Sequence, residues 1–122
     1  MPKTDVIFFR DTDGSVPFLS WYDSLPETAL HACTVKLDLL RNYGYDLRRS
    51  AADNLGGGIW ELRAKANRIN LRILYFFHGR HAVVVSHGFD KQTEINLAIQ
   101  RKRLYERDPG AHTYQEKIGE GP

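Results

Sequence analysis

Residues 58–79, GIWELRAKANRINLRILYFFHG, carry Arg63, Lys65, Arg68 and Arg72 among β-branched, aromatic and aliphatic side chains, with Glu61 as the last acid. That composition predicts strands, and strands of this kind are usually buried. Arginines placed there call for an anion. Guanidinium groups grip phosphates through a planar fork, and aromatic rings stack on bases, so the pattern points to a surface for RNA or another polyanion. Over residues 62–107, ten Lys/Arg stand against three Asp/Glu (Asp90, Glu94 and Glu106), whereas residues 1–61 hold six against nine. The overall charge of +2 hides this segregation, which places an anionic partner on the second half.

Alternation along the strands sorts these side chains. In INLRILYFFH, Ile69, Leu71, Ile73, Tyr75 and Phe77 form one apolar set, which should face helices. Asn70, Arg72, Leu74, Phe76 and His78 form the other, mixed set. In IWELRA, Ile59, Glu61 and Arg63 share a side, so Arg63 also leaves the core. Arg72 then expects a phosphate as its partner, and its removal should leave folding intact. Arg63 has a second reading, as a structural ion pair with Glu61 or a helix carboxylate. Lys65, Arg68 and Phe76, and the run Arg101, Lys102 and Arg103, extend the expected RNA surface.

His87, in SHGFDKQT, ends a strand just before the final helix, where a histidine can move protons or can simply be hydrogen-bonded in the turn. His78 and His81 flank a turn but lack cysteine or carboxylate neighbours at ligand spacing, so no metal is expected. His31 lies on an exposed part of a helix. Cys33 lies among apolar helical positions and reads as core. It is the single cysteine, which excludes an internal disulfide and fits a cytoplasmic setting. No apolar run approaches the roughly 20 residues of a membrane span. The glycines of LGGGIW are followed by a strand and not by Gly-Lys-Ser/Thr and a helix, which excludes a phosphate loop.

The elements that must position these groups follow in order. DVIFF (5–9) reads as an opening strand, and 15–25 as a first helix with Pro17 in its first turn. SLPE (24–27) matches a capping box that opens a second helix, whose apolar spacing runs through Leu30, Cys33, Leu37 and Leu40 to Asn42. A polar connection (46–58) leads to strands at 59–64, 69–78 and 81–88, then a helix at 93–107 capped by Thr93. The order β-α-α-β-β-β-α predicts an α+β fold. A helical hairpin and the C-terminal helix pack on one face of a small, mostly antiparallel, four-stranded sheet, and the other face stays open. Residues 1–107 form a single domain, and 108–122 a loose tail.

Residues 55–106 resemble the RelE/ParE toxin superfamily, and more narrowly its phage-derived, HigB-like branch. The likeness rests on four blocks in order: GIWELR, LRILYFF, HGFDK and the basic last helix. The short opening strand and hairpin with SLPE agree in layout, so it extends over 5–107. It implies a type II toxin that works as a ribosome-dependent mRNA endonuclease and inhibits translation. The ribose 2′-hydroxyl attacks the adjacent phosphate without metal or other cofactor. Carried onto this chain, the catalytic positions are Arg63, Arg72, His87 and Lys91. The implied partners are a cognate helix-turn-helix antitoxin, for which Trp21 and Tyr22 would be anchors, and the ribosome with its mRNA, with no membrane. Relatives of this branch usually carry two lysines after HGF, whereas HGFDK keeps only Lys91 and sets Asp90 beside it, which removes positive charge from that loop. Two alternatives stay open: a ParE-like toxin that binds gyrase, and a catalytically impaired relative that binds RNA or antitoxin.

Overall fold

The computed structural model describes residues 4–47, 51–89 and 95–115, and the side chains of 95–97 are not among those described. Strand β1 (Asp5–Phe9) is followed by α1 (Pro17–Asp23) and α2 (Glu27–Tyr43), then by β2 (Ala52–Gly56), β3 (Ile59–Ala66), β4 (Ile69–His78) and β5 (Ala82–Phe89). Helix α3 (Ile95–Arg107), a short 3-10 turn (Gly110–His112) and β6 (Thr113–Tyr114) complete the order. Among the described residues no helix is long and apolar enough to cross a membrane.

The fold class holds at the level of α+β, but the four-stranded, mostly antiparallel sheet does not. The sheet has six strands in the order β2-β3-β4-β5-β1-β6, and it is mixed, because β1 runs parallel to β5. β2 escaped notice because ADNLG has polar residues and a bulge between Asn54 and Gly56. β6 is two residues long and pairs Phe8 with Tyr114 and Phe9 with Thr113. The expectation of a loose tail therefore fails for 108–115. His112 anchors that segment: its ring stacks on Phe9 at 5.1 Å and its Nδ1 lies 2.6 Å from the Arg10 carbonyl.

The helices do not share one face. α1 and α2 cover Val6 and Phe8 of β1, Leu62 and Ala64 of β3, Leu71, Ile73 and Tyr75 of β4, and Val83 and Val85 of β5. α3 packs through Ala98 and Tyr105 on the opposite face, over Ile7, Phe9, Ile59, Leu74, Phe76 and Val84. The mixed face of β4 is thus half covered. Leu74 and Phe76 are fully buried, and the open part is the end that carries Asn70 and Arg72.

Two local readings change. Ser24 does not cap α2, whose N-cap is Pro26 with no side-chain bond; its Oγ instead donates to the Trp21 carbonyl at 2.6 Å and closes α1. Tyr22 is no exposed anchor: it is buried, and its hydroxyl bonds that of Thr34. Trp21 is half-buried, and its ring packs against Gly88, so a Cβ at Gly88 would overlap it. The glycine of HGF is therefore a packing requirement. Gly88→Ala should cost about 1–3 kcal/mol, the scale of overpacking a core, read as a lower denaturation midpoint.

Candidate active site

Antiparallel pairing of β3 and β4 places Arg63 opposite Arg72 and Glu61 opposite Leu74, while β4 and β5 place Arg72 opposite Phe89 and Leu74 opposite His87. Two rows result on the α3 side of the sheet, Arg63-Arg72-Phe89 and Glu61-Leu74-His87. β3 runs to Ala66, two residues beyond the strand expected from the sequence, so Lys65 stands on the same side as Arg63. The β3–β4 turn is tight, with Asn67 at φ 56°, a left-handed conformation that asparagine tolerates.

Like charges directly opposite in a sheet repel, yet Arg63 and Arg72 are such a pair. Carboxylates on the neighbouring strands hold both. Arg72 donates from Nη1 to Glu61 Oε1 at 3.2 Å, and Arg63 Nη1 lies 3.9 Å from Asp53 Oδ2 on β2. The ion pair of Glu61 is with Arg72, which corrects the reading that paired it with Arg63. Glu61 keeps only 5% of its side-chain surface, whereas Arg72 keeps 39% and Arg63 43%. Both arginine side chains therefore keep surface that solvent and ligands can meet.

Lys36 of α2 joins them. Together with Arg63, Lys65, Asn70 and Arg72 it lines a cleft of about 260 Å³ at the end of β3 and β4, which Ala64 and Leu71 of the hairpin-covered face also border. The sequence places Lys36 on a helix 27 positions before Arg63, and nothing in its spacing tells that α2 delivers it to this strand end. Arg68, in the turn, is exposed but does not line the cleft.

The remaining expected residues divide. His87 is 6% exposed. Its Nδ1 lies 2.9 Å from Ser86 Oγ, which also receives Arg101 Nη1 at 3.5 Å. Burial, and secondarily the Arg101 charge, lower the His87 pKa to about 4, so the imidazole is neutral at pH 7. Arg101 turns inward, its guanidinium 5.7 Å from the centre of the Phe9 ring. Lys102 pairs with Glu106 at 2.7 Å, and Arg103 is exposed. Phe76 cannot stack on a base, because it is buried under α3 with its ring edge-on to Tyr105. Lys91 lies outside the described residues. Cys33 is buried and its thiol is pushed up to about 12 by desolvation, which leaves it unreactive.

The depressed His87 pKa has a consequence for stability. Above pH 6.5 the ring is neutral in both folded and unfolded chains. Between 6.5 and about 4 the unfolded chain takes up a proton that the folded one refuses, so the folded state loses stability as the pH falls. The loss should reach on the order of 3 kcal/mol by pH 4. Denaturant titrations of the parent and of His87→Gln should diverge over that window, with the variant the less pH-dependent.

Residues 20–108 match the family described as Phage derived protein Gp49-like (DUF891). The chain is also 31% identical over 107 residues to the protein named probable endoribonuclease HigB1 in two strains of Mycobacterium tuberculosis, CDC 1551 / Oshkosh and H37Rv, an alignment that covers 82% of this chain and 83% of each relative. The chain belongs to the phage-derived Gp49-like family, the HigB-like branch that the motif blocks indicate.

Proposed function

We infer that this protein is the toxin of a toxin–antitoxin pair and cleaves mRNA on the ribosome. The observation that carries the reading is the Arg63–Arg72 pair, two guanidinium groups on directly opposed strand positions beside two lysines. A phosphate between them turns a repulsive pair into a clasp. The family likeness to a probable endoribonuclease supports RNA as the source of that phosphate.

In the reaction the ribose 2′-oxygen attacks the adjacent phosphorus and the bond from phosphorus to the 5′-oxygen breaks. The 2′-proton leaves to a base, the 5′-oxygen takes a proton, and the products are a 2′,3′-cyclic phosphate and a 5′-hydroxyl. Charge builds on the non-bridging oxygens, where fixed guanidinium donors are most effective. Arg72 is the chief donor, because buried Glu61 fixes its orientation; Arg63 shares that phosphate from the opposed strand position, and Lys65 grips the flanking strand. Neutral His87 can accept a proton but cannot donate one as imidazolium at pH 7. Lys91 is the proposed proton donor. The ribosome supplies the geometry of the mRNA, and an antitoxin must cover or displace the cationic cleft.

Primer extension on mRNA, free and ribosome-bound, tests this with protein treated with EDTA and then dialysed into ribosome buffer. New 5′ ends should appear only with ribosomes. Equal cleavage of free mRNA removes ribosome dependence, and no new ends removes the nuclease. The pH profile adds a check. kcat/KM should lack an acidic limb near 6.5, because the free enzyme's His87 titrates near 4.

A further inference from the structure

A second cleft lies at the far end of the sheet. It measures about 590 Å³ and is lined by Thr4, Asn42, Tyr43, Tyr45, Asp46, Arg80 and His81. β4 separates it from the arginine pair: from Arg72 to His78, the end of the strand, the chain advances by about 20 Å at strand rise.

Its aromatic content is unusual. Tyr43 and Tyr45, 55% and 60% exposed, are the most exposed large hydrophobic side chains among the described residues. Tyr45 is nonetheless fixed. One face of its ring stacks on Phe77, with centroids 3.7 Å apart and planes 13° from parallel, and its hydroxyl reaches the Gly79 carbonyl at 3.5 Å. The other face is left toward solvent, so a flat ligand can stack there without the entropy loss of ordering a mobile side chain. Arg80 and His81 are exposed in the β4–β5 turn, where Gly79 takes φ 66°. Arg80 offers a fork for one phosphate, and the Asp46 carboxylate accepts hydrogen bonds from a base edge.

We propose that this cleft binds an unpaired RNA base, stacked on Tyr45 with its exocyclic amino group on Asp46 and its phosphate on Arg80. Asp46 disfavours a bare phosphate, and a cation and a carboxylate in one cleft with a stacking platform match a nucleotide, which carries anion, donor and π-face together. The cleft and the arginine pair then form two contacts on one strand, which lengthens the RNA footprint beyond the scissile site. The inference rests on the RNA-directed reading for its ligand class, and not on cleavage.

Fluorescence anisotropy with labelled single-stranded octamers of adenylate, of uridylate and of abasic ribose phosphate tests it on the full chain. The adenylate octamer should bind more tightly than the uridylate, which lacks an exocyclic amino group, and the abasic octamer should bind least. Tyr45→Ala and Arg80→Glu should each weaken adenylate binding roughly tenfold, the scale of one lost stacked base. Tyr45→Phe should bind as the parent does. The proposal is overturned if Tyr45→Ala and Arg80→Glu bind as the parent, if Tyr45→Phe loses as much as Tyr45→Ala, or if the abasic octamer binds equally well. It is overturned also if a protein partner occupies the cleft while RNA binding ignores both variants. Thermal melts show whether each variant is folded. A parent that binds adenylate through Tyr45 but leaves ribosome-bound mRNA intact would end the nuclease reading and leave this one standing.

Discussion

Arg72→Ala is expected to lower single-turnover cleavage of ribosome-bound mRNA by ~100-fold or more, the scale of losing one fixed donor to a developing negative charge. Sequence alone also implied that folding would not suffer. The ion pair with Glu61 changes that. Removing the guanidinium strands a carboxylate that keeps 5% of its side-chain surface. Breaking a fully buried pair costs several kcal/mol, and the partial exposure of Arg72 brings the expected loss down to about 1–3 kcal/mol. The cleavage assay must therefore run well below the melting temperature of the variant. Arg72→Lys separates the two effects. It keeps the charge on Glu61, so stability should return, but a point charge lacks the fork, so only part of the activity should return. Full activity in Arg72→Lys would mean that charge alone suffices.

The second large effect is on affinity. Four cations line the cleft: Lys36, Arg63, Lys65 and Arg72. If Arg63 and Arg72 share one phosphate and each lysine neutralises another, log affinity for a single strand should fall against log salt with a slope of roughly −2.1, or about 20-fold between 50 and 200 mM. Lys36→Ala should flatten that slope by roughly 0.7, because one counterion fewer is released. A slope near zero for the parent, measured by binding to ribosomes or to single-stranded RNA, would leave the cleft without an electrostatic role.

Lys36 also shows where sequence reading ran out. Alternation placed Arg63 and Arg72 on one side of the sheet, because that inference needs only the period of a strand. It did not show that α2 would bring Lys36 to the same strand end, since that depends on how the hairpin crosses the sheet. The same limit produced the misreading of Phe76. Its position on the mixed face was legible, but the covering helix was placed on the wrong side. The apolar residues of INLAIQRKRLYER do not say which face of the sheet the helix covers, and only the structure shows that Ala98 and Tyr105 pack on the sheet opposite the hairpin. β2 and β6 were illegible for a different reason: both are short edge strands held by pairing rather than by an apolar pattern. Gly88 was recognisable as part of HGF, whereas its cause, the ring of Trp21, lies 67 positions earlier.

The central claim is that Arg63 and Arg72 clasp one phosphate. A double-mutant cycle on cleavage tests it most directly, with single-turnover rates for the parent, Arg63→Ala, Arg72→Ala and the double variant on the same ribosome-bound mRNA. Two donors acting on one phosphate are coupled, so each single change should cost most of the rate and the double variant should be little slower than Arg72→Ala. Multiplicative losses would place the two arginines on separate phosphates. A parental rate in either single variant would contradict the clasp and move the chemistry away from this pair.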